Sequence, residues 1–540
     1  MKTIIVGGVA GGMSAATRLR RLMPDAEIVV LERGEHVSYA NCGLPYHLGG
    51  VIADREELLL QTPQSLHTRF GLDVRVRSEV LRIDRDRHTV RVRDRDGREY
   101  DESYDRLVLS PGAAPVVPDL PGVERAMTLR TVTDVDRIVA ALDARPRTAV
   151  VVGGGFIGLE AAENLVHRGL DVTVVERDAQ VMAPLDAEMV APVHDELRRH
   201  GIALRLGAAL AKIGPDQVEL ADGETLPADL VLLAIGVRPE TALARDAGLA
   251  IGERGGITVD AAMRTSDPDI HAVGDAVEKP DAIGAAAALI PLANTANRQG
   301  RLAADAIAGL PVRLGGRIGT GIVQVFGLTV ATTGWNEKRL RAAGRAYQAV
   351  HTHGASHAGY YPGAEQLSLK VLYDPADGRI LGAQAVGGDG VDKRIDVLAT
   401  AIRGGLTAPD LADLELAYAP PYGSAKDPVN IVGYVAGNRL AGTEEAVQWH
   451  ELAEVVAAGA TVVDVRSPQE YAAGTVPGAL NLPLDELRQR MAELPAGDLV
   501  LYCQSGQRSH TAASLIRPGR DTRVLNLDGG YRTWHAGTGS

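Results

Sequence analysis

The sequence predicts an α/β protein: two nested βαβ domains of the nucleotide-binding kind, an α+β unit after them, and a small C-terminal α/β unit. Three observations predict it. A strand, glycine turn and helix open the chain, the same pattern returns at Thr148–Glu176, and short strands and helices restart after Glu445. At 540 residues the chain is too long for one core, so several domains are expected.

In the first pattern, KTIIVGG reads as a buried strand running into a glycine turn. Helix Met13–Leu22 and strand Glu27–Leu31 follow, with Glu32 at the strand's end. The second pattern has strand TAVVVGGG, helix Ile157–Arg168 and strand VTVVE, ending in Glu176. Its fingerprint is complete in Gly153, Gly155 and Gly158: one for the tight turn, one for approach to a pyrophosphate, one for helix packing. In the first unit Gly7, Val9 and Gly12 hold those positions, so the middle glycine is missing, with Gly8 and Gly11 on either side. Two Rossmann-like units in one chain imply two dinucleotides, with Glu32 and Glu176 available to ribose hydroxyls.

LVLSPGAAP (Leu107–Pro115) and LVLLAIGVRP (Leu230–Pro239) repeat the order strand, Gly, Pro, and read as paired crossovers between nested domains. TSDPDIHAVGD reads as a strand ending in Gly274-Asp275. From Arg317 to Asn438 the pattern is β-rich, with a helix from Asp392 to Gly404. Gly437–Glu445 reads as a polar linker. Beyond it come helix Trp449–Ala457, strand TVVDVR, the turn SPQEYAAGTVPGALNLPL and strand LVLYC.

The net charge of −13 excludes a nucleic-acid binder, and no secretory signal or membrane-spanning stretch is read. Two cysteines, with no CxxC, exclude a disulfide framework, a structural zinc site and a local dithiol, so no metal is expected. A reducing, cytoplasmic compartment suits them. Cys42, in SYANCGLPY, is expected to open a helix whose N–H groups lower its pKa. Cys503, in YCQSGQRSH, opens a loop whose successive N–H groups form an anion nest that stabilises a thiolate or persulfide. Gly506 permits the bend, and Arg508 ends the loop before a helix starting near Ser509.

From Met1 to about Leu440 these motifs resemble the two-dinucleotide flavoprotein disulfide reductase superfamily. SYANCGLPY and YAPPYGSAKDPVN resemble, within it, the family of coenzyme A disulfide reductases and NADH-dependent persulfide reductases. DVR (464–466), GTVPGALNLPL and CQSGQR resemble the rhodanese sulfurtransferase domain. The resemblance implies an FAD-binding domain in two parts (1–115 and 235–316), an NAD(P)H-binding domain (116–234), a dimerisation domain (317–440) and a rhodanese domain (445–540).

It further implies FAD held by Gly7, Gly8, Gly11, Gly12, Glu32, Arg33, Asn41, Pro111, Gly112, Gly274 and Asp275. NADH, or NADPH through Arg177, is held by Gly153, Gly155, Gly158, Glu176 and Gly236. Coenzyme A, as substrate or tightly held ligand, meets Ser14, Arg18, Arg21, Ser38, Asn41, Arg298, Tyr360 and Lys426. Arg18 and Arg21 lie one helical turn apart, suited to phosphates.

Cys42 is then the redox nucleophile, and Tyr360 (or its neighbour Tyr361) with Tyr418 reaches the active site from the partner of a homodimer; Cys503 and Arg508 handle sulfane sulfur. The implied reaction is NAD(P)H-dependent reduction of coenzyme A persulfide, polysulfide or coenzyme A disulfide. Two alternatives stay open: an NADH oxidase or peroxidase working through a Cys42 sulfenic acid, and a sulfurtransferase or sulfur sensor.

Overall fold

The computed structural model describes residues 1–284, 286–313 and 315–539, in two compact units. The first comprises Met1–Ala179 and Gly201–Gly319; the second comprises Gln180–His200 and the chain from Thr320 onward.

The first unit holds two five-stranded parallel sheets. In one, Lys2–Val6 lies centrally between Glu27–Leu31 and Arg106–Leu109, with Asp73–Arg75 and Ile270–Ala272 at the edges. Ile4, Ile5, Val29, Val30, Leu107 and Val108 are fully buried, as strands covered on both faces require. The chain leaves the central strand in both directions, which puts a crevice at its C-terminal end, where such sheets bind ligands. The second sheet repeats the plan with Thr148–Val152 at its centre, flanked by Asp171–Glu176 and Leu230–Leu233. Ala113–Pro115 and Val237–Pro239 pair antiparallel, so the two crossovers form one two-stranded ribbon. The first helix starts at Ala10, three residues earlier than expected, because Gly7 turns at φ +96° and Val9 already serves as the N-cap.

The second unit contains a five-stranded antiparallel sheet in the order Gly321–Val325, Leu328–Gly334, Ile380–Gly387, Gln366–Tyr373, Gln348–Ala355. Helices Val391–Gly404 and Pro428–Leu440 bury Ile395, Leu398, Val429 and Val432 in one core with Leu369 and Val371 of that sheet. It also contains a parallel sheet, in which Leu499–Tyr502 lies between Val524–Leu527 and Thr461–Asp464.

Several local readings differ from the structure. Gly437–Glu445 is no free linker: Pro428–Leu440 is helical, and Arg439 and Glu444 are buried and ion-paired. The helix expected from Trp449 begins at Leu452. The segment read as a turn after Arg466 contains helix Pro468–Ala472, held by a reciprocal cap between Ser467 and Glu470. The helix after Cys503 starts at Gln507, so Arg508 lies in its first turn.

Residues 180–200 join the second unit through charge. Lys370, with no exposed side-chain surface, places Nζ 2.9 Å from Asp186 and 2.7 Å from Glu337, and also against Glu188. Those three carboxylates converge tightly, and the ammonium sits among them. Glu188 continues to His351 Nε2 at 2.9 Å, and His351 Nδ1 to Asp528 at 2.6 Å. Asp528 pairs with Arg439, Arg439 with Glu444, and Glu444 with His510. The chain of charges thus runs from strand Gln366–Tyr373 to the helix that follows Cys503.

The partners set the protonation states. Despite burial, flanking carboxylates push His351 up to about 9, while burial and the His351 charge push His353 down to about 3. His353 therefore stays neutral, bonded to Ser368 Oγ and Thr533 Oγ1 at 2.8 Å each.

Lys370→Met removes the ammonium that three buried carboxylates share, leaving them crowded with only His351 and Arg341 at their edges, so it is expected to destabilise the second unit by about 3–5 kcal/mol, read from denaturant midpoints. His351, raised when folded, stabilises fully below its ordinary pKa of about 6.5, and that contribution is lost as pH rises through about 9. Glu188 and Asp528 are held below the ordinary carboxylate range by Lys370, His351 and Arg439, so their contribution is lost in acid. Unfolding midpoints are expected to plateau near pH 5–6 and to fall towards pH 9. The alkaline fall is expected to disappear in His351→Asn.

Candidate functional site

The first cradle lies at the C-terminal end of strand Lys2–Val6. A Cβ on Gly12 would stand 1.9 Å from the Gly7 carbonyl oxygen, and one on Gly7 would stand 2.1 Å from that of Ser110. The second cradle is its geometric repeat: a Gly158 Cβ would meet the Gly153 carbonyl oxygen at 1.9 Å. The middle position differs. Gly155 has open space around it, at φ −81°, and Val9 stands at φ −105°, so either residue type is conformationally allowed.

Both acidic strand ends grip their own glycine loops. Glu32 accepts N–H groups of Gly8 at 2.8 Å and Gly34 at 2.7 Å; Glu176 accepts those of Gly154 at 2.7 Å and Asp178 at 2.9 Å. Arg33 pairs with Glu240 and so faces away from a purely ligand role.

Ser110, Gly11 and Gly274 meet at the same crevice. Gly274 donates its N–H to the buried Gln299 side chain at 3.0 Å, and Asp275 follows in a single 3-10 turn. Pro111-Gly112 leads into the crossover ribbon, where the Gly236 carbonyl accepts the Val116 N–H at 2.9 Å. Three residues that the sequence reading missed complete this site. Arg130 reaches Asp275 at 3.3 Å and the Ala113 carbonyl at 3.1 Å. Lys279, fully buried, donates to the carbonyls of Gly274 at 2.8 Å and Val277 at 3.0 Å, and burial pushes its pKa down to about 8. Glu160 is the third. None sits in a glycine motif, and only the fold collects them.

Cys42 lies on a 3-10 turn, Asn41–Gly43, ahead of the short helix Leu44–Gly49. Its residue is exposed, and Gly43 packs against Leu58 and Ile52. Ser38 holds a left-handed φ of +49°, a strained geometry for a residue with a side chain, while its N–H bonds the Gly8 carbonyl at 2.9 Å. Behind the turn, Tyr46 donates to Glu160 at 3.2 Å, tying the cysteine's helix to helix Phe156–His167.

The expected lowering of the Cys42 pKa is reversed: burial and then the Glu160 carboxylate push the thiol up, and Arg130 only partly opposes them. The helix beyond Cys42 has six residues, too few to outweigh that carboxylate. Burial and Glu163 raise Glu160 itself to about 7.

Helix Ala10–Leu22 packs on helix Ala293–Ile307 at Gly300, where an added Cβ would stand 2.1 Å from the Gly11 carbonyl oxygen. Ser14 bonds Asn297 at 2.8 Å, beside Arg298, which is exposed. Arg18 pairs with Asp305 at 2.6 Å and is not a free basic face; Arg21 is exposed.

In the second unit, Tyr360 and Tyr418 share a hydroxyl–hydroxyl hydrogen bond of 3.0 Å, both exposed, with Lys426 also at the surface. Tyr361 instead packs edge-on against His357.

Cys503 is buried. Its Sγ accepts the Gly506 N–H at 3.2 Å, with Ser509 Oγ at 3.5 Å, and Gly506 bends the loop at φ +95°. Arg508 forms two bonds to Glu470, at 2.8 and 2.6 Å, so its charge is matched. Arg466 is buried, bonded to Asp464 and stacked over the rings of Tyr531 at 4.3 Å and Tyr502 at 5.3 Å.

Residues 1–300 match the pyridine nucleotide-disulphide oxidoreductase family, residues 321–428 its dimerisation domain, and residues 448–537 the rhodanese-like domain. A coenzyme A disulfide reductase of Staphylococcus epidermidis is 35% identical over 438 residues, 81% of this chain and 99% of that protein. The crystal structure of reduced Bacillus anthracis CoADR-RHD is 48% identical with a TM-score of 0.98, covering 100% of this chain and 98% of that one. A NAD-dependent persulfide reductase from A. fulgidus is 37% identical with a TM-score of 0.93, covering 99% of this chain and 100% of that one.

Glu160→Gln removes the carboxylate that raises the Cys42 thiol, so its alkylation profile is expected to shift to lower pH. At pH 8 iodoacetamide should react roughly three- to tenfold faster than with the unsubstituted protein.

Proposed function

The chain belongs to the pyridine nucleotide-disulphide oxidoreductase family, and from that premise we propose that it reduces coenzyme A persulfide, polysulfide or coenzyme A disulfide with NADH and FAD at Cys42. Cys503 carries sulfane sulfur in this reading. The family implies FAD and NAD(P)H; the choice of NADH and the role of coenzyme A belong to the proposal.

The carrying observation is Cys42 itself. It is exposed, the sequence has no CxxC, and the one other cysteine, Cys503, is assigned to sulfur carriage in this reading. The resolving thiol therefore arrives with the substrate. A disulfide R–S–S–R′ with NADH and a proton yields NAD⁺ and two thiols; a hydropersulfide yields a thiol and hydrogen sulfide.

The residues present fit both dinucleotides. The two glycine cradles leave room for a backbone-bound pyrophosphate, most visibly at Gly155, and Glu32 and Glu176 keep carboxylate lone pairs for ribose hydroxyls. FAD, when bound, supplies the passage of an electron pair from nicotinamide hydride to sulfur. The chain's own groups orient and protonate. Asp275 is held for the flavin side chain by the braces on Gly274, and Glu160 sits within proton-transfer distance of Tyr46. Glu176 favours the free 2′-hydroxyl of NADH; the neighbouring Arg177 is exposed and near only Asp178, at 3.8 Å.

Ser14, Arg18, Arg21, Arg298 and Lys426 are assigned to coenzyme A, and the Tyr360–Tyr418 pair to the Cys42 site of a partner subunit in a homodimer. The match to the dimerisation domain supports that assembly. A cytoplasmic location suits two free thiols, and no helix among the described residues is long and apolar enough to cross a membrane.

NADH oxidation is to be followed with coenzyme A persulfide, polysulfide and coenzyme A disulfide. Cys42→Ser is expected to lose at least about a thousandfold in kcat with all three; unchanged activity would sink the mechanism. Cys503→Ser is expected to keep coenzyme A disulfide turnover and lose only sulfur loading on the second domain. Glu176→Ala should narrow the preference for NADH over NADPH by about tenfold.

A further inference from the structure

Around Cys503 the structure holds an arrangement of charges that sulfur carriage alone does not require. The loop side chains Gln504, Ser505 and Gln507 are neutral. Three cations lie close to the loop, and each is matched by a carboxylate: Arg508 by Glu470, Arg466 by Asp464, and His510 by Glu444. A fourth, Arg532, caps the Gln504 carbonyl with its backbone N–H at 3.2 Å but gives its guanidinium to the Gln366 side chain. Arg508 lies two positions beyond Gly506, in the first turn of the helix that follows the loop, and its pKa is raised first by the Glu470 bond and further by Cys503. Glu470 is in turn held down to about 2 by Arg508.

A donor must therefore bring its charge to a loop beside which Arg508 and Arg466 are already held by carboxylates and Arg532 is turned to Gln366. Thiosulfate carries two negative charges and leaves sulfite behind, so it needs an unmatched cation. A hydropersulfide or polysulfide presents a terminal sulfur with one charge at most, which the Gly506 N–H and Ser509 hydroxyl can meet. Burying an uncompensated charge is costly, and selectivity against a dianion follows.

We propose that Glu470 is a positioning residue that sets donor specificity: by holding Arg508, it makes Cys503 take sulfane sulfur from hydropersulfides and polysulfides and reject thiosulfate. This deepens, and rests on, the sulfur-carrier reading of Cys503. In the transfer the Cys503 thiolate attacks the terminal sulfur of R–S–SH. The Sγ–S bond forms as the donor S–S bond breaks, and its electron pair leaves on R–S⁻. The proton stays on the transferred sulfur, giving Cys503–S–SH. Sulfane sulfur changes hands with no net oxidation and no added reductant.

Glu470 also caps helix Pro468–Ala472, accepting the Ser467 N–H at 3.0 Å. Glu470→Gln keeps an acceptor there while releasing Arg508, and Ser467→Ala weakens the cap while leaving Glu470 charged.

The full-length flavoprotein is offered cysteine hydropersulfide or thiosulfate, and loading of Cys503 is timed by peptide mass mapping. The unsubstituted protein is expected to load at least about tenfold faster from the hydropersulfide. Glu470→Gln should raise the thiosulfate rate about tenfold relative to the hydropersulfide rate. Arg508→Gln added to it should remove that gain, and Ser467→Ala should leave the ratio unchanged. A ratio indifferent to Glu470→Gln, or moved equally by Ser467→Ala, overturns the inference while leaving Cys503 a carrier. Loading from neither donor overturns the carrier reading itself.

Discussion

The buried ammonium of Lys370 is the interaction on which the second unit depends. An unpaired ammonium could not remain charged without exposed surface, and three unpaired carboxylates could not lie so close together; each makes the other tolerable. The same pairing brings residues 180–200 into the unit and, through Glu188, keeps His351 protonated between two acids. From there Asp528, Arg439 and Glu444 carry matched charge to the helix after Cys503. A network of this kind contributes less to net stability than an apolar core of equal volume. Its effect is orientation: few other arrangements satisfy every member.

The two thiols are set up in opposite ways. Cys42 is exposed as a residue, and partial burial together with Glu160 raises its thiol. Cys503 is buried, but its sulfur already has a backbone N–H and a hydroxyl directed at it. The first arrangement suits a group that gains and loses electrons with a bound partner. The second suits one that stores sulfur.

Much of this was legible in the primary structure because nucleotide folds are written in short-range rules. Gly12 and Gly158 are forced by the Gly7 and Gly153 carbonyls one turn earlier, Gly7 and Gly153 by their positive φ, and Glu32 and Glu176 bind the glycine loops that open their own βαβ units. Val9 in place of a glycine looked like a defect and is none, since its φ is negative. Helix starts differ from the sequence reading where a positive-φ glycine turn sets them, as at Ala10 and Gln507, or a capping box does, as at Ser467–Glu470.

The sequence by itself determined the order of folds, both glycine cradles, the family resemblance and the existence of two isolated cysteines. Those follow from periodicity, φ requirements and local spacing. Only the tertiary structure decided the direction of the Cys42 pKa shift and the pairing of Arg18 with Asp305, Arg508 with Glu470 and Tyr360 with Tyr418. The physical reason is range. A pKa or an ion pair depends on charges brought within a few ångströms by chain segments tens to hundreds of residues apart, and no spacing rule in the sequence encodes which of them meet.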